Sequence, residues 1–256
     1  MSRSINTGKT PNPAKRWFKW DSETKGFKFY DKDAEHPTDK TKKGANILVP
    51  LPFQFLVLDT LHTISGFSDA EGAGIYSNEI RDLKKQTLTV KIGKNVVASG
   101  LYEDLKGKVA GAKYAQAVYI GYFDAEKNLQ IGNIKITGSA LGSWIDFCKS
   151  HKPTEGAIKV VTSKFVEKNK KVNWNEPVFE AIAVKPPTEE KAIAADTILQ
   201  AFLKEYFDNA TLETTPVTHV DEVEAETKQP ATDTLMDDSQ NGPVTTAVTS
   251  TVDDDF

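Results

Sequence analysis

The sequence predicts a mainly β body with a few helices, closed into a small, partly open barrel and followed by an acidic tail. Three observations predict it. Short β-prone segments recur between Lys15 and Val184, separated by polar turns at uneven intervals. Helical spacing of apolar residues appears only in a few short places and in one longer run near residue 200. Beyond Asn209 aliphatic periodicity stops, and the chain becomes rich in Thr, Asp, Glu, Gln and Pro.

Residues 1–14 read as a flexible arm of Ser, Thr, Asn, Gly and Pro. Residues 15–30 read as two short strands around a turn at Asp21–Gly26, and the Lys-rich residues 31–45 as a loop. Phe53–Ile64, apolar and β-branched, is expected to be a long central strand. Gly66, Gly72 and Gly74 make Ser65–Asn78 a loop. Leu88, Val90 and Ile92 alternate with polar residues, as in a strand with one buried face. Val96–Gly107 is expected to be a short helix. Lys113–Phe123 and Leu129–Thr137 read as strands joined by a turn at Asp124–Asn128. Leu141, Trp144, Ile145 and Cys148 follow i, i+3, i+4, i+7 spacing, which predicts a helix over 139–150 with Cys148 as a small core residue. Ala157–Val166 and Val178–Val184 read as a hairpin with a long loop, Glu167–Pro177. Thr188–Asn209 reads as a helix capped by Thr188, with Ile193, Thr197, Ala201, Leu203 and Phe207 on its apolar side. Short strands, a helix between the middle strands and long basic loops suit an oligonucleotide-binding (OB) barrel spanning 15–210. Residues 211–256 are expected to be a disordered tail.

Charge divides the chain in the same place. Residues 1–210 carry 31 Lys and Arg against 25 Asp and Glu, net +6, and residues 211–256 carry eleven acids against Lys228 alone, net −10. A basic body with an acidic tail points to nucleic-acid contact plus a competing or recruiting anion; the plainer reading is that disordered tails tend to be acidic for solubility. No apolar run approaches the length of a membrane helix, and no secretory signal opens the chain. Cys148 is the only cysteine, so a reducing cytoplasm is the simplest setting.

Sequence-independent binding of single strands needs a cationic path for phosphates and aromatic faces for bases. Lys15–Tyr30 interleaves both: Lys15, Arg16, Lys19, Lys25 and Lys28 alternate with Trp17, Phe18, Trp20, Phe27, Phe29 and Tyr30. Strand alternation puts Arg16, Phe18 and Trp20 on one face and Trp17 and Lys19 on the other. The competing reading is that these aromatics are core, and about half are assigned there. Lys168, Lys170, Lys171 and Trp174 form a second basic aromatic set on the expected loop, equally readable as solvated. Lys113 and Tyr119 are a third, on a strand that more naturally supplies core. Lys15, Arg16, Trp17, Lys19, Trp20, Lys28, Tyr30, Lys113, Tyr119, Lys168, Lys170, Lys171 and Trp174 are therefore the candidate DNA contacts.

The chain ends in Asp253, Asp254, Asp255 and Phe256, three carboxylates beside one terminal aromatic. This tip resembles the acidic C-terminal tip of phage-type single-stranded DNA-binding proteins; the Ile-Pro pair often found before Phe in the bacterial form is missing. The resemblance covers the tail and a basic body, with no body motif matched residue by residue. It implies an OB body, single-stranded DNA as partner, and roles in DNA replication, recombination and repair. It also implies that Asp253–Phe256 recruits DNA polymerase, helicase–primase or recombination enzymes, and that the tail occupies the protein's own basic groove until DNA displaces it. For a phage-encoded chain the compartment would be the host-cell cytoplasm.

Catalysis is not expected. His36, His62, His151 and His219 have no metal-ligand spacing, no phosphate loop follows Gly66, Gly72 and Gly74, and Asp59 and Asp124 lack a supporting acid–base pattern. No cofactor, metal or membrane partner is expected, and a homodimer is compatible with the chain. Two alternatives stand beside the DNA reading: a virion or scaffold interaction protein with an acidic tail, and an RNA-binding OB protein.

Overall fold

The longest strand organises the molecule. In a computed structural model that describes residues 10–168 and 172–212, β4 (Phe53–Ser68) runs for sixteen residues. The expectations for residues 1–9, Lys170, Lys171 and 213–256, including Asp253, Asp254, Asp255 and Phe256, lie outside the described residues. Aromatic and β-branched side chains favour extended backbone, and β4 is long enough to serve several neighbours. Its first residues pair with β10 (Ala157–Lys168), its middle with β8 (Ala112–Phe123) and its end with β5 (Ala73–Ser77), all antiparallel. A register shift between Val57 and Asp59 divides its run along β8, and such irregularities bend strands.

Among the described residues eleven strands and three helices form one open, mainly β architecture. The strands not yet named are β1 (Arg16–Asp21), β2 (Gly26–Glu35), β3 (Lys43–Val49), β6 (Leu88–Ile92), β7 (Asn95–Gly100), β9 (Leu129–Ile136) and β11 (Val172–Ile182). Their order is β3-β2-β1-β9-β8-β4-β5-β6-β7, with β10 added on β4 and β11 on β10. The β1–β9 pair is parallel. β11 meets the β1–β2 turn through Asn175: its backbone N–H donates to Ser22 Oγ at 2.7 Å, and its carbonyl accepts from Trp20 Nε1 at 2.9 Å. Asp21 shapes that turn by accepting the backbone N–H of Glu23 and Thr24.

Three larger apolar cores follow, beside a small fourth of Leu56, Ala157 and Ala192. The largest gathers Phe18, Phe27, Phe29, Phe55, Ile120 and Ile134 beneath α2 (Ser139–Ser150), which contributes Trp144 and Phe147. Gly132 permits that packing, because a Cβ there would meet the rings of Phe18 and Tyr122 at 2.9 Å. The second lies on the opposite face, where α3 (Pro186–Leu212) sets Ala195, Leu199, Phe202 and Tyr206 against Leu61, Ala117, Tyr119 and Ile131. The third joins β5–β7 to the one-turn α1 (Tyr102–Leu105) through Ile75, Leu88, Val90 and Leu105.

Several expectations are corrected. Ser65–Asn78 is not a loop: β4 continues to Ser68 and β5 follows, because Gly66 lets the Gly111 backbone approach where a Cβ would collide with its carbonyl. Val96–Gly107 is strand β7 plus one turn, since Val96 and Val97 extend the sheet beside β6. The loops at 31–45 and 167–177 are mostly strand, as β2–β3 and β10–β11 pair far toward their tips. In α2 the buried line is Ala140, Trp144 and Phe147, with Ile145 outside it. α3 starts at Pro186, so Thr188 sits buried within its first turn rather than capping it, and it runs past residue 210. No described helix is long and apolar enough to cross a membrane.

Candidate nucleic-acid interface

Alternation along β1 separates a core face from an open one. Phe18 and Trp20 turn inward with Phe27 and Phe29 of β2, so four of the six aromatics in residues 15–30 are core. Trp20, expected at the interface, is buried and its indole N–H is used by Asn175. Arg16 shares that inward face as expected, with its guanidinium 4.2 Å from the Phe29 ring centroid at the rim of the core. Its charge is thus partly covered by aromatic faces.

The outward face holds Trp17 and Lys19 on β1 and Lys28 and Tyr30 on β2. Lys19 pairs across one ladder with Lys28 and across the other with Lys135 of β9. Three lysines therefore stand side by side on adjacent strands, continued by Leu48 opposite Lys28 on β3. Trp17, 38% exposed, and Tyr30 flank this row on the same face. Paired residues on neighbouring strands sit only ~5 Å apart, and like charges placed so repel. Lys28 has an internal counter-ion: Asp21 Oδ2 lies 2.5 Å from its Nζ. Burial alone would raise the Asp21 carboxyl; the Lys28 ammonium and the Thr24 and Glu23 N–H groups hold it below its usual value. Lys15 is exposed just before β1, its N–H donating to the Ile131 carbonyl and prolonging the β1–β9 contact.

The remaining candidates do not join this face. Tyr119 is a core residue under α3 and donates from its hydroxyl to Glu79 Oε2 at 2.9 Å. Burial and the adjacent Glu79 carboxylate push its phenol far up, so it stays protonated. It is withdrawn as a DNA contact because no base can reach it. Lys113 is exposed at the far end of β8, six residues along the strand from Tyr119, or roughly 20 Å at strand rise. Trp174 is a half-buried residue of β11, not a loop tip, and donates to Glu176 Oε1 at 2.7 Å. It lines an open groove with Gly138, Ser139, Gly142, Asn173 and Glu176. The Glu176 carboxylate makes this groove suited to an aromatic face rather than to a phosphate. Lys168 ends β10, paired with Val172.

Two residues were not anticipated. Lys135, half-buried, alternates outward between the buried Ile134 and Ile136, so its direction was readable; its place beside Lys19 depended on a parallel pairing that no local pattern announces. Phe165 is 58% exposed on β10. The register shift between Val160 and Thr162 sets Phe165, opposite Asn175, on the same side as Val160 and Phe179; its exposure follows from its place beyond Val160, where the pairing of β10 with β4 ends.

The two carboxylates weighed for catalysis, Asp59 and Asp124, make structural contacts. Asp59 receives both Arg81 guanidinium nitrogens, at 3.2 and 2.8 Å, and Gln200 Nε2 at 3.1 Å, which ties α3 to β4. Asp124 accepts the N–H groups of Glu126 and Asn128 in its own turn. Burial pushes the Cys148 thiol up to about 11, far from a reactive thiolate. Among the described residues no group of three His, Cys, Asp or Glu could hold a metal ion. Against known proteins, no family model, curated sequence or solved structure matches this chain.

Proposed function

We propose that this chain binds single-stranded DNA without sequence preference, as a non-enzymatic protein of DNA replication, recombination and repair. The observation that carries the reading is the Lys135–Lys19–Lys28 row flanked by Trp17 and Tyr30. Three adjacent like charges favour a bound polyanion, and the two rings offer faces for bases; such a combination suits sequence-tolerant single-strand binding. Phe165 and Trp174 on the β10–β11 hairpin provide further aromatic surface near the β1–β2 turn.

The OB reading is supported by connectivity. β4, β8 and β9 form an antiparallel meander, α2 follows, and the β10–β11 hairpin returns so that β10 pairs with β4. A helix after the third strand and a fourth strand beside the first is the order of a five-stranded OB barrel. β1 occupies the parallel position beside β9, and Asn175 links it to β11. In this reading β5–β7 with α1 is an insertion between the first two barrel strands. The resemblance of Asp253–Phe256 to phage-type tips adds the second half of the proposal: the tail recruits polymerase, helicase–primase or recombination enzymes, and competes for the lysine row when DNA is absent.

Titration with oligo-dT at two salt concentrations tests this. Tryptophan fluorescence should be quenched, and affinity should fall with a log–log salt slope near −0.7 per phosphate contact. Absence of both quenching and salt dependence would overturn the DNA reading, and tighter binding of equal-length RNA would move the ligand to RNA.

A further inference from the structure

α3 carries apolar residues on two sides. Ala195, Leu199, Phe202 and Tyr206 are buried on the sheet. Opposite them Ile193 and Ile198 are 61% and 59% exposed, with Ala194, Thr197 and Ala201 exposed between and beside them. At 3.6 residues per turn these five form one outward stripe near the middle of the 27-residue helix. Two exposed isoleucines spaced over small residues are a helix-packing surface, and nothing among the described residues covers it.

The charges at its ends select an occupant. Glu190 lies seven residues before Thr197 and Lys204 seven after it; both are exposed on the same side as the stripe, and neither has an ion-pair partner among the described residues. We infer that α3 is a self-association surface on which two copies of this chain pair their α3 helices antiparallel about Thr197. A twofold axis at Thr197 sets Glu190 of each copy against Lys204 of the other and Ile193 against Ala201. The two Ile198 side chains meet near the axis, and Ala194 and Ala201 let the helices approach closely. Isologous contacts of this kind require a self-complementary patch, and the 190/204 arrangement around residue 197 supplies one. A single helix pair buries less than the ~1,000 Å² typical of stable interfaces, so the dimer is reversible, dissociating in the roughly micromolar range. The inference is independent of DNA binding, because the lysine row belongs to other strands.

Sedimentation velocity of the full chain over a rising concentration series tests it. The wild type should shift from monomer to dimer. Glu190→Lys and Lys204→Glu should each weaken the dimer, by about tenfold for two attractive pairs made repulsive. Glu190→Lys combined with Lys204→Glu should restore it. Ile198→Glu should abolish it while circular dichroism stays that of the wild type, since the side chain is exposed. A monomer at every concentration, or a dimer indifferent to Ile198→Glu and to the single charge changes, would overturn the inference. A doubly substituted chain no better than the single variants would overturn the antiparallel register.

Discussion

Trp17 and Trp20 are three positions apart yet have opposite fates. One faces outward beside a lysine row; the other closes the core and donates to Asn175. Trp17→Ala should weaken oligo-dT binding by roughly tenfold, within the ~1–3 kcal/mol of one stacked base, and remove much of the quenching without moving the urea midpoint. Trp20→Ala should instead lower stability by about 3–5 kcal/mol, as large core truncations do. Denaturation and titration of the same two proteins separate the cases. The alternation of faces was legible from the sequence; which face was inward was not, because both carry aromatics. Asn133 is a different case. It sits 1% exposed on β9 between Trp17 and Tyr119, and neither side-chain polar atom has a partner among the described residues. Burying such groups costs ~1–3 kcal/mol. Asn133→Val should therefore raise the urea midpoint; an unchanged or lower midpoint would show that the amide is satisfied, for instance by a buried water.

Elements are joined by a polar chain as well as by packing. Trp144 Nε1 of α2 donates to Gln116 Oε1 at 2.8 Å, Gln116 Nε2 reaches the Tyr114 hydroxyl at 3.2 Å, and that hydroxyl meets His62 Nδ1 at 2.6 Å. α2, β8 and β4 are thus held by one line of groups. Burial lowers the His62 pKa from 6.5, only partly opposed by Asp82. The imidazole is then neutral in the fold, while in the unfolded chain it takes up a proton near 6.5. Its stabilising contribution is complete above 6.5 and is lost as pH falls from there through the lower folded value. Urea midpoints at about pH 7.5 and about pH 5.5 should fall more for the wild type than for His62→Gln; equal falls would mean that His62 does not carry the acid sensitivity. Strands were more legible than helix faces. Period-two segments such as Leu88–Ile92 bury as their pattern says. α3 has apolar residues on two sides, and the sheet took the line through Leu199 rather than that through Ile193 and Thr197.

At the scale of the whole molecule, the charge split separates a body of net +6 from a tail whose acids all lie beyond the end of α3. Since α3 reaches Leu212, truncation is best made after that residue. Removing 213–256 deletes eleven acids and one lysine, and should tighten oligo-dT binding at low salt, with the gain fading as salt screens the tail from the body. Equal affinities for full-length and truncated protein at low salt would end the competition idea. Sequence alone determined the mainly β character, most strands, the helix over 139–150, the basic–acidic division and the sharing of one β1 face by Trp17 and Lys19. These depend on local alternation, turn residues and composition, all carried by neighbours in the chain. Tertiary structure alone decided that β1 lies parallel to β9, bringing Lys135 beside Lys19, that Tyr119 is sealed under α3, and that Phe165 stands exposed beyond the stretch of β10 that pairs with β4. Each of those outcomes depends on partners distant in sequence, whose pairing is set by how several apolar faces can be buried at once.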